Sequence, residues 1–249
     1  MARSLGTRSR FLIAYLLLGA AVGAALGAFV VLLQRPAPKP PPQWSSWRPG
    51  SASLDLRAAE IAEHVGTGYR LPTGNRLTNV TIGHPGGQNL RSIAIPTVAQ
   101  PKTLADVKLY DRKSSLIYVL CGSGKHCNLE DSVSRTASGT ALRREALELA
   151  LYAMEYIHPI DDVLVFFPPA PGKKTVSATL FFRRSDLESR LKNPLRKTLP
   201  QAVPPLPGKI RPVERKTVDE LTRSSFYVYV GTVPVKGYGS IVQLQPPSS

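Results

Sequence analysis

The stretch Thr140–Pro168, TALRREALELALYAMEYIHPIDDVLVFFP, contains a change of period that sets the fold class. Up to His158 the apolar residues recur at helical spacing, with Leu142, Ala146, Leu149, Ala150, Ala153 and Ile157 on one face. Pro159 lacks the amide that a helix interior needs and ends the element. At 162–168 the pattern becomes an unbroken apolar run, DVLVFFP, of strand length. A similar run, VSATLFFRR at 176–184, follows the link PAPGKKT, so the two read as a hairpin. A long helix feeds directly into paired strands.

The same alternation continues outward. Upstream, LDLRAAEIAEHV at 54–65 has helical spacing, and Gly66 supplies a stop. Short β-like runs follow at 77–82, 91–96, 105–110 and 115–120. The last two, ADVKLY and SLIYVL, are joined by DRKS and read as a second hairpin. Downstream, Ser185 and Glu188 have the spacing of a capping box that opens a short helix to about Lys192. Another helix is expected over 213–222, and FYVYVGTV with the following GSIVQLQ suggests a closing hairpin. Helices interspersed with paired strands predict an α+β domain with a mainly antiparallel sheet.

A different physics governs the N-terminus. Phe11–Leu33 is twenty-three residues without a charge. As a helix it reaches about 34 Å, against a hydrocarbon core of about 30 Å. A cleaved signal peptide is the rival reading, but its apolar region runs only about 7 to 15 residues. Arg3, Arg8 and Arg10 precede the span, and Arg35 and Lys39 follow it, which favours a cytoplasmic N-terminus. The expected order is a cytoplasmic tail at 1–10, a transmembrane helix at 11–33, a Pro-rich stalk at 34–52 and an extracytoplasmic domain at 53–249. The chain is thus expected at the cell membrane as a single-pass protein. Prolines at 36, 38, 40, 41 and 42 favour an extended spacer, about 28 Å over Gln34–Pro42. Trp44 and Trp47 lie beyond it and are expected to pack on the domain edge. Within the span, Gly19, Gly23 and Gly27 are spaced four apart, a small-residue stripe that suits helix–helix contact and a homo-oligomer.

Only two cysteines occur, both in LCGSGKHCNLE at 120–130. A phosphate-binding loop needs a glycine where Val119 stands and Ser or Thr where His126 stands. Structural zinc needs about four ligands; Cys121, His126 and Cys127 supply at most three, with His64, His84 and His158 scattered. No metal site or cofactor is therefore expected. Outside the cytoplasm two cysteines six apart favour a disulfide, Cys121–Cys127. Gly122 and Gly124 are expected to provide the tight return by adopting positive φ. The bridge would contribute roughly 2.4 kcal/mol on the chain-entropy account.

The layout of short tail, single span, stalk and external α+β domain resembles that of sortases, cysteine transpeptidases of bacterial surfaces. That resemblance implies a nucleophile at Cys121, a histidine upstream at His64 or His84, and an arginine downstream at Arg183 or Arg184. The family's threonine-leucine-x-threonine-cysteine signature is replaced here by IYVLC. Ser123 lacks the glycine pattern of a nucleophile elbow. Adjacent Asp161 and Asp162 point different ways and suit a turn better than an acid–base pair.

Charge singles out one more segment. The chain carries 32 Lys and Arg against 17 Asp and Glu, a net of +15. Between Lys173 and Lys216 stand twelve Lys or Arg and three Asp or Glu, whereas 53–172 is balanced. This segment includes a Pro-rich basic loop at 194–212 with little periodicity, which by its length reads as functional or disordered. Arg183, Arg184, Arg190, Lys192, Arg196, Lys197, Lys209 and Arg211 form the expected anion-binding set. Anionic lipid headgroups or cell-wall polymers are the expected partners. No recognition module points to nucleic acid. Asn79-Val-Thr81 fits a glycosylation acceptor, relevant only in a eukaryotic secretory pathway. The sequence thus predicts a non-enzymatic, membrane-anchored binding or scaffolding protein. A surface cysteine enzyme using Cys121 is the alternative.

Overall fold

Helix α1 (Thr7–Gln34) is the one helix among the described residues that is long and apolar enough to cross a membrane. Phe11–Val30 is exposed along its whole length and has no polar stripe, the opposite of a globular core helix. Side chains added at Gly19, Gly23 or Gly27 would meet no atom within 4 Å. The computed structural model describes residues 7–34, 43–83, 90–98, 101, 103–129, 134–170, 172–176, 178–235 and 239–247.

The second unit begins at Gln43. Its elements are α2 (Leu54–Gly68), β1 (Asn79–Ile82), β2 (Leu90–Pro96), β3 (Val107–Asp111), β4 (Ser115–Cys121) and α3 (Arg135–Tyr156). They continue with β5 (Asp162–Phe166), β6 (Ala178–Arg183), α4 (Arg184–Leu191), α5 (Leu195–Thr198), α6 (Pro212–Arg223), β7 (Phe226–Val235) and β8 (Gly239–Gln245). The eight strands form one sheet in the order β1-β4-β5-β6-β7-β8-β2-β3. It is mostly antiparallel, as expected; β4–β5 and β2–β8 are parallel. A parallel neighbour needs a crossover, and α3 supplies it between β4 and β5.

The hairpins β5–β6 and β7–β8 form where local pattern placed them. The hairpin expected of 105–110 with 115–120 does not. β3 pairs with β2, while β4 pairs with β1 and β5. Residues 112–114 make a 3-10 turn in which the Asp111 carboxylate accepts from the Lys113 amide at 2.9 Å. Burial explains the separation. β4 is almost entirely buried, as an unbroken apolar run requires, whereas no residue of β3 is fully buried, as suits an edge strand.

Each face of the sheet has its own core. On one face Leu116, Tyr118, Leu120, Val163, Val165, Leu180 and Phe182 pack beneath the helices. On the other, Ile117, Leu164, Phe166 and Phe181 meet Ile93, Ile95, Val242 and Leu244. The far half of the sheet therefore folds back over the near half. β7 allows this: it pairs with β6 through Phe226–Val228, shifts register between Tyr229 and Gly231, and continues with β8. Tyr110 of the last strand consequently reaches Phe181 of β6, ring centroids 4.7 Å apart.

α3 is buried on nearly every side, between the sheet and helices α2 and α6. It starts at Arg135, earlier than the apolar pattern predicts, because the Ser134 hydroxyl caps the Ala137 amide. α2 likewise runs past Gly66 to Gly68. A Cβ at Gly66 would stand 3.0 Å from Val80, so that glycine lets the helix seat closely on β1 rather than stop. α4 follows β6 directly with Arg183 at its N-cap and no side-chain cap bond; Ser185 lies inside the helix and makes no capping box.

The segment after Gln43 packs onto the domain. Trp47 stacks on His64 at 3.9 Å, and both tryptophans meet Tyr152 edge-on. The Leu195 amide donates to the Trp44 carbonyl at 2.8 Å. The Pro-rich stretch 194–212 is seated in the same layer. Leu195, Leu199 and Ile210 are core residues, the Gln201 carbonyl accepts from Arg144 at 2.9 Å, and Pro204 lies against Gly68.

Candidate functional site

Cys121 and Cys127 are joined, with Cα atoms 4.5 Å apart. The positive φ that closes the loop falls on His126 (55°) and Cys127 (64°), not on the glycines; Gly124 has φ −75°. The glycines serve by close approach instead. The Gly122 amide donates to the Cys127 carbonyl and the Gly124 amide to the Asn128 carbonyl, both at 2.9 Å. A Cβ at Gly122 would collide with the Asn128 carbonyl.

With its sulfur bonded, Cys121 offers no thiolate, and the constellation implied by a sortase-like layout is not assembled. Arg183 pairs with Asp162 and Asp162 with Ser115, at the opposite end of β4 from Cys121. Six strand steps put that end about 20 Å away. His64 is half-buried and stacked on Trp47, and burial lowers its pKa. His84 lies outside the described residues. No group of three or more His, Cys, Asp or Glu able to hold a metal occurs among the described residues.

The eight cations of the expected anion-binding set separate into two places. Arg183, Arg184, Arg190, Lys192, Arg196 and Lys197 lie on or between β6, α4 and α5. Three of these have carboxylate partners: Arg183 pairs with Asp186 at 2.7 Å, Arg184 with Asp161 at 3.3 Å, and Lys192 with Glu188 at 2.7 Å. Arg184 also donates to the Met154 and Ile160 carbonyls at 2.6 Å, closing the C-terminal end of α3. Lys209 and Arg211 precede α6, where Gly208 lies beside Ala137 in the first turn of α3. From Ala137 to Met154 the helix rises about 25 Å, so the two groups occupy different ends of the helical layer. Arg190, Arg196, Lys197, Lys209 and Arg211 are in no ion pair among the described residues.

A cleft of about 650 Å³ opens where β3 crosses the start of β5 and the end of β6. Lys108 and Tyr110 of β3 line one side; Asp161, Asp162, Arg183 and α4 line the other. Asp162 opens β5 with the same parity as Leu164 and Phe166, so its carboxyl faces the inner core, 7% exposed. Asp161 turns outward to Arg184, so the two aspartates do point different ways. Burial, then the Asp161 charge, push the Asp162 carboxyl up to about 6 against the pull of Lys108 and Arg183. Such a group can hold a proton or a cation near neutrality. The sequence reading put Asp162 with Asp161 in the turn after α3; the structure makes it the first residue of β5. The strand that crosses it came from a distant part of the chain and left no local signal.

Sequence reading also missed a buried polar network. Arg144, 1% exposed, pairs with Glu148 at 3.0 Å and Glu214 at 2.7 Å, and donates to the Tyr69 hydroxyl. Tyr69 in turn donates to Glu148 at 2.6 Å. One residue later, Glu145 accepts from the Thr78 hydroxyl at 2.8 Å, and burial holds its carboxyl well above the ordinary range. The network joins α2, α3, α6 and the Pro-rich stretch and is closed to solvent. Its role is structural.

No protein-family model, characterised protein or solved structure matches the chain.

Proposed function

We propose that this chain is a single-pass, membrane-anchored protein with a non-enzymatic external domain that binds an anionic surface through its α4–α5 corner. One observation carries the reading. Arg190, Arg196 and Lys197 sit together on α4 and α5 without carboxylate partners, on the element that receives Trp44 through the Leu195 amide. Cations near an anionic bilayer contribute about 1 kcal/mol each, so three would strengthen contact by about 3 kcal/mol at low salt. The bridged cysteines suit an oxidising compartment, and the arginines preceding the span suit a cytoplasmic N-terminus. Anionic lipid headgroups are the proposed partner, and anionic wall polymers offer the same chemistry.

Hydrogen exchange on the full chain in nanodiscs tests this. With anionic lipid, the α4–α5 amides are expected to gain protection that salt removes and that Arg190→Gln, Arg196→Gln and Lys197→Gln together abolish. Equal protection in neutral lipid overturns the lipid reading. Protection that appears only when a soluble polyphosphate is added assigns the corner to polymers instead.

A further inference from the structure

The cleft between β3 and the β5–β6 end has an unusual balance of charge. Most of its charged groups are already neutralised: Arg184 by Asp161, Lys192 by Glu188 and Arg183 by Asp186. Two are left over, one of each sign. Asp162 is 7% exposed as a residue, lines the cleft, and makes no hydrogen bond or ion pair among the described residues. Lys108 is exposed on the facing strand, its ammonium 5.0 Å from the Tyr110 ring centre and in no ion pair. The two do not bond to each other. The Asp162 oxygens are open to the cleft rather than sealed in, and Lys108 and Arg183 act on them only through space, so a donor entering the cleft can bond them.

We infer that the cleft binds a small zwitterion, its ammonium held by Asp162 and its anionic end by Lys108. A simple cation would take Asp162 but leave Lys108 on the facing strand without a counter-charge. A simple anion would take Lys108 but leave the buried carboxylate as it is. Only a ligand with both charges completes both unpaired groups, and the volume admits molecules of amino-acid or dipeptide size. Tyr110 and Leu191 supply apolar wall between the two ends. This site is separate from the α4–α5 corner and does not depend on it.

The same chemistry occurs in soluble amino acids and peptides and in the headgroup of ethanolamine lipids. Calorimetric titration of the full chain in uncharged maltoside micelles separates them. The probes are β-alanine, glycylglycine and O-phosphoethanolamine, with ethylammonium and propionate as single-charge controls. At least one zwitterion is expected to bind at least about tenfold more tightly than either control. A preference for the carboxylate probes marks a soluble ligand, and a preference for the phosphate probe marks a lipid headgroup. Asp162→Asn and Lys108→Met are each expected to weaken binding by about tenfold or more. Neither side chain holds the fold through a hydrogen bond, so neither variant should unfold below the wild-type temperature. The inference is overturned if no zwitterion binds up to about 50 mM, if a control binds as tightly, or if binding survives both substitutions.

Discussion

Arg144 and Glu145 are neighbours on α3 whose buried charges are handled differently. Arg144 stays charged because Glu148 and Glu214 surround it and the Tyr69 hydroxyl and Gln201 carbonyl accept its remaining protons. Glu145 has a single donor, the Thr78 hydroxyl, and its other oxygen has no partner in the structure. Burial raises its pKa first, and the charge of Glu148 adds to the rise. Its folded-state pKa therefore exceeds its unfolded one, and the native state keeps a proton that the unfolded chain releases. Stability from this group is full below the ordinary carboxylate range and falls as pH climbs above it, by at most about 1.4 kcal/mol per pH unit. Glu145→Gln keeps the acceptor for Thr78 and cannot ionise. Its urea midpoint should match wild type near pH 4 and exceed it at pH 8; equal midpoints at both would mean that Glu145 is ionised in the folded protein.

At the scale of elements, the turn from Cys121 to Cys127 depends on space more than on glycine's conformational range. Gly122→Ala would drive a methyl into the Asn128 carbonyl, and backbone there cannot swing aside as a side chain can. Overpacking of this kind costs about 1–3 kcal/mol, comparable with the roughly 2.4 kcal/mol from the disulfide's chain entropy. Gly124→Ala approaches the same carbonyl less closely and should be milder. Thermal unfolding of both variants, oxidised and reduced, checks the order; equal losses would show that the turn relaxes. Local pattern sufficed for α3, β5–β6 and β7–β8, because each is specified by its own residues and a short link. It failed for β3 and β4, whose partners β2 and β5 are set by burial across the whole sheet. It failed for Arg144 because an arginine on an amphipathic helix looks solvated until α6 and Tyr69 are placed over it. The strand that Asp162 opens was legible in its apolar run. The cleft around it was not, since Lys108 and Tyr110 arrive only when the sheet folds back.

For the whole molecule, topology decides which chemistry the cleft and the basic corner can meet. An external domain keeps Cys121 and Cys127 bridged and presents Arg190, Arg196 and Lys197 to lipid or polymer. A cytoplasmic one would find its thiols reduced and its surroundings rich in nucleotides and nucleic acid. An impermeant maleimide on intact cells distinguishes the two, because Cys121 and Cys127 are the only cysteines in the chain. Both are half-exposed, so reagent can reach them once the bridge is opened. Under the proposed topology, two labels appear by mass after reduction and none before it. Labelling without reductant would remove the disulfide and restore Cys121 as a nucleophile to test by Cys121→Ser. If intact cells stay unlabelled even after reduction while lysed, unfolded protein takes two labels, the domain lies inside. The α4–α5 corner would then face a cytoplasmic leaflet, where salt-dependent protection should still appear with anionic lipid. The zwitterion cleft would be unaffected, since its two unpaired groups lie within the folded domain whichever side it occupies.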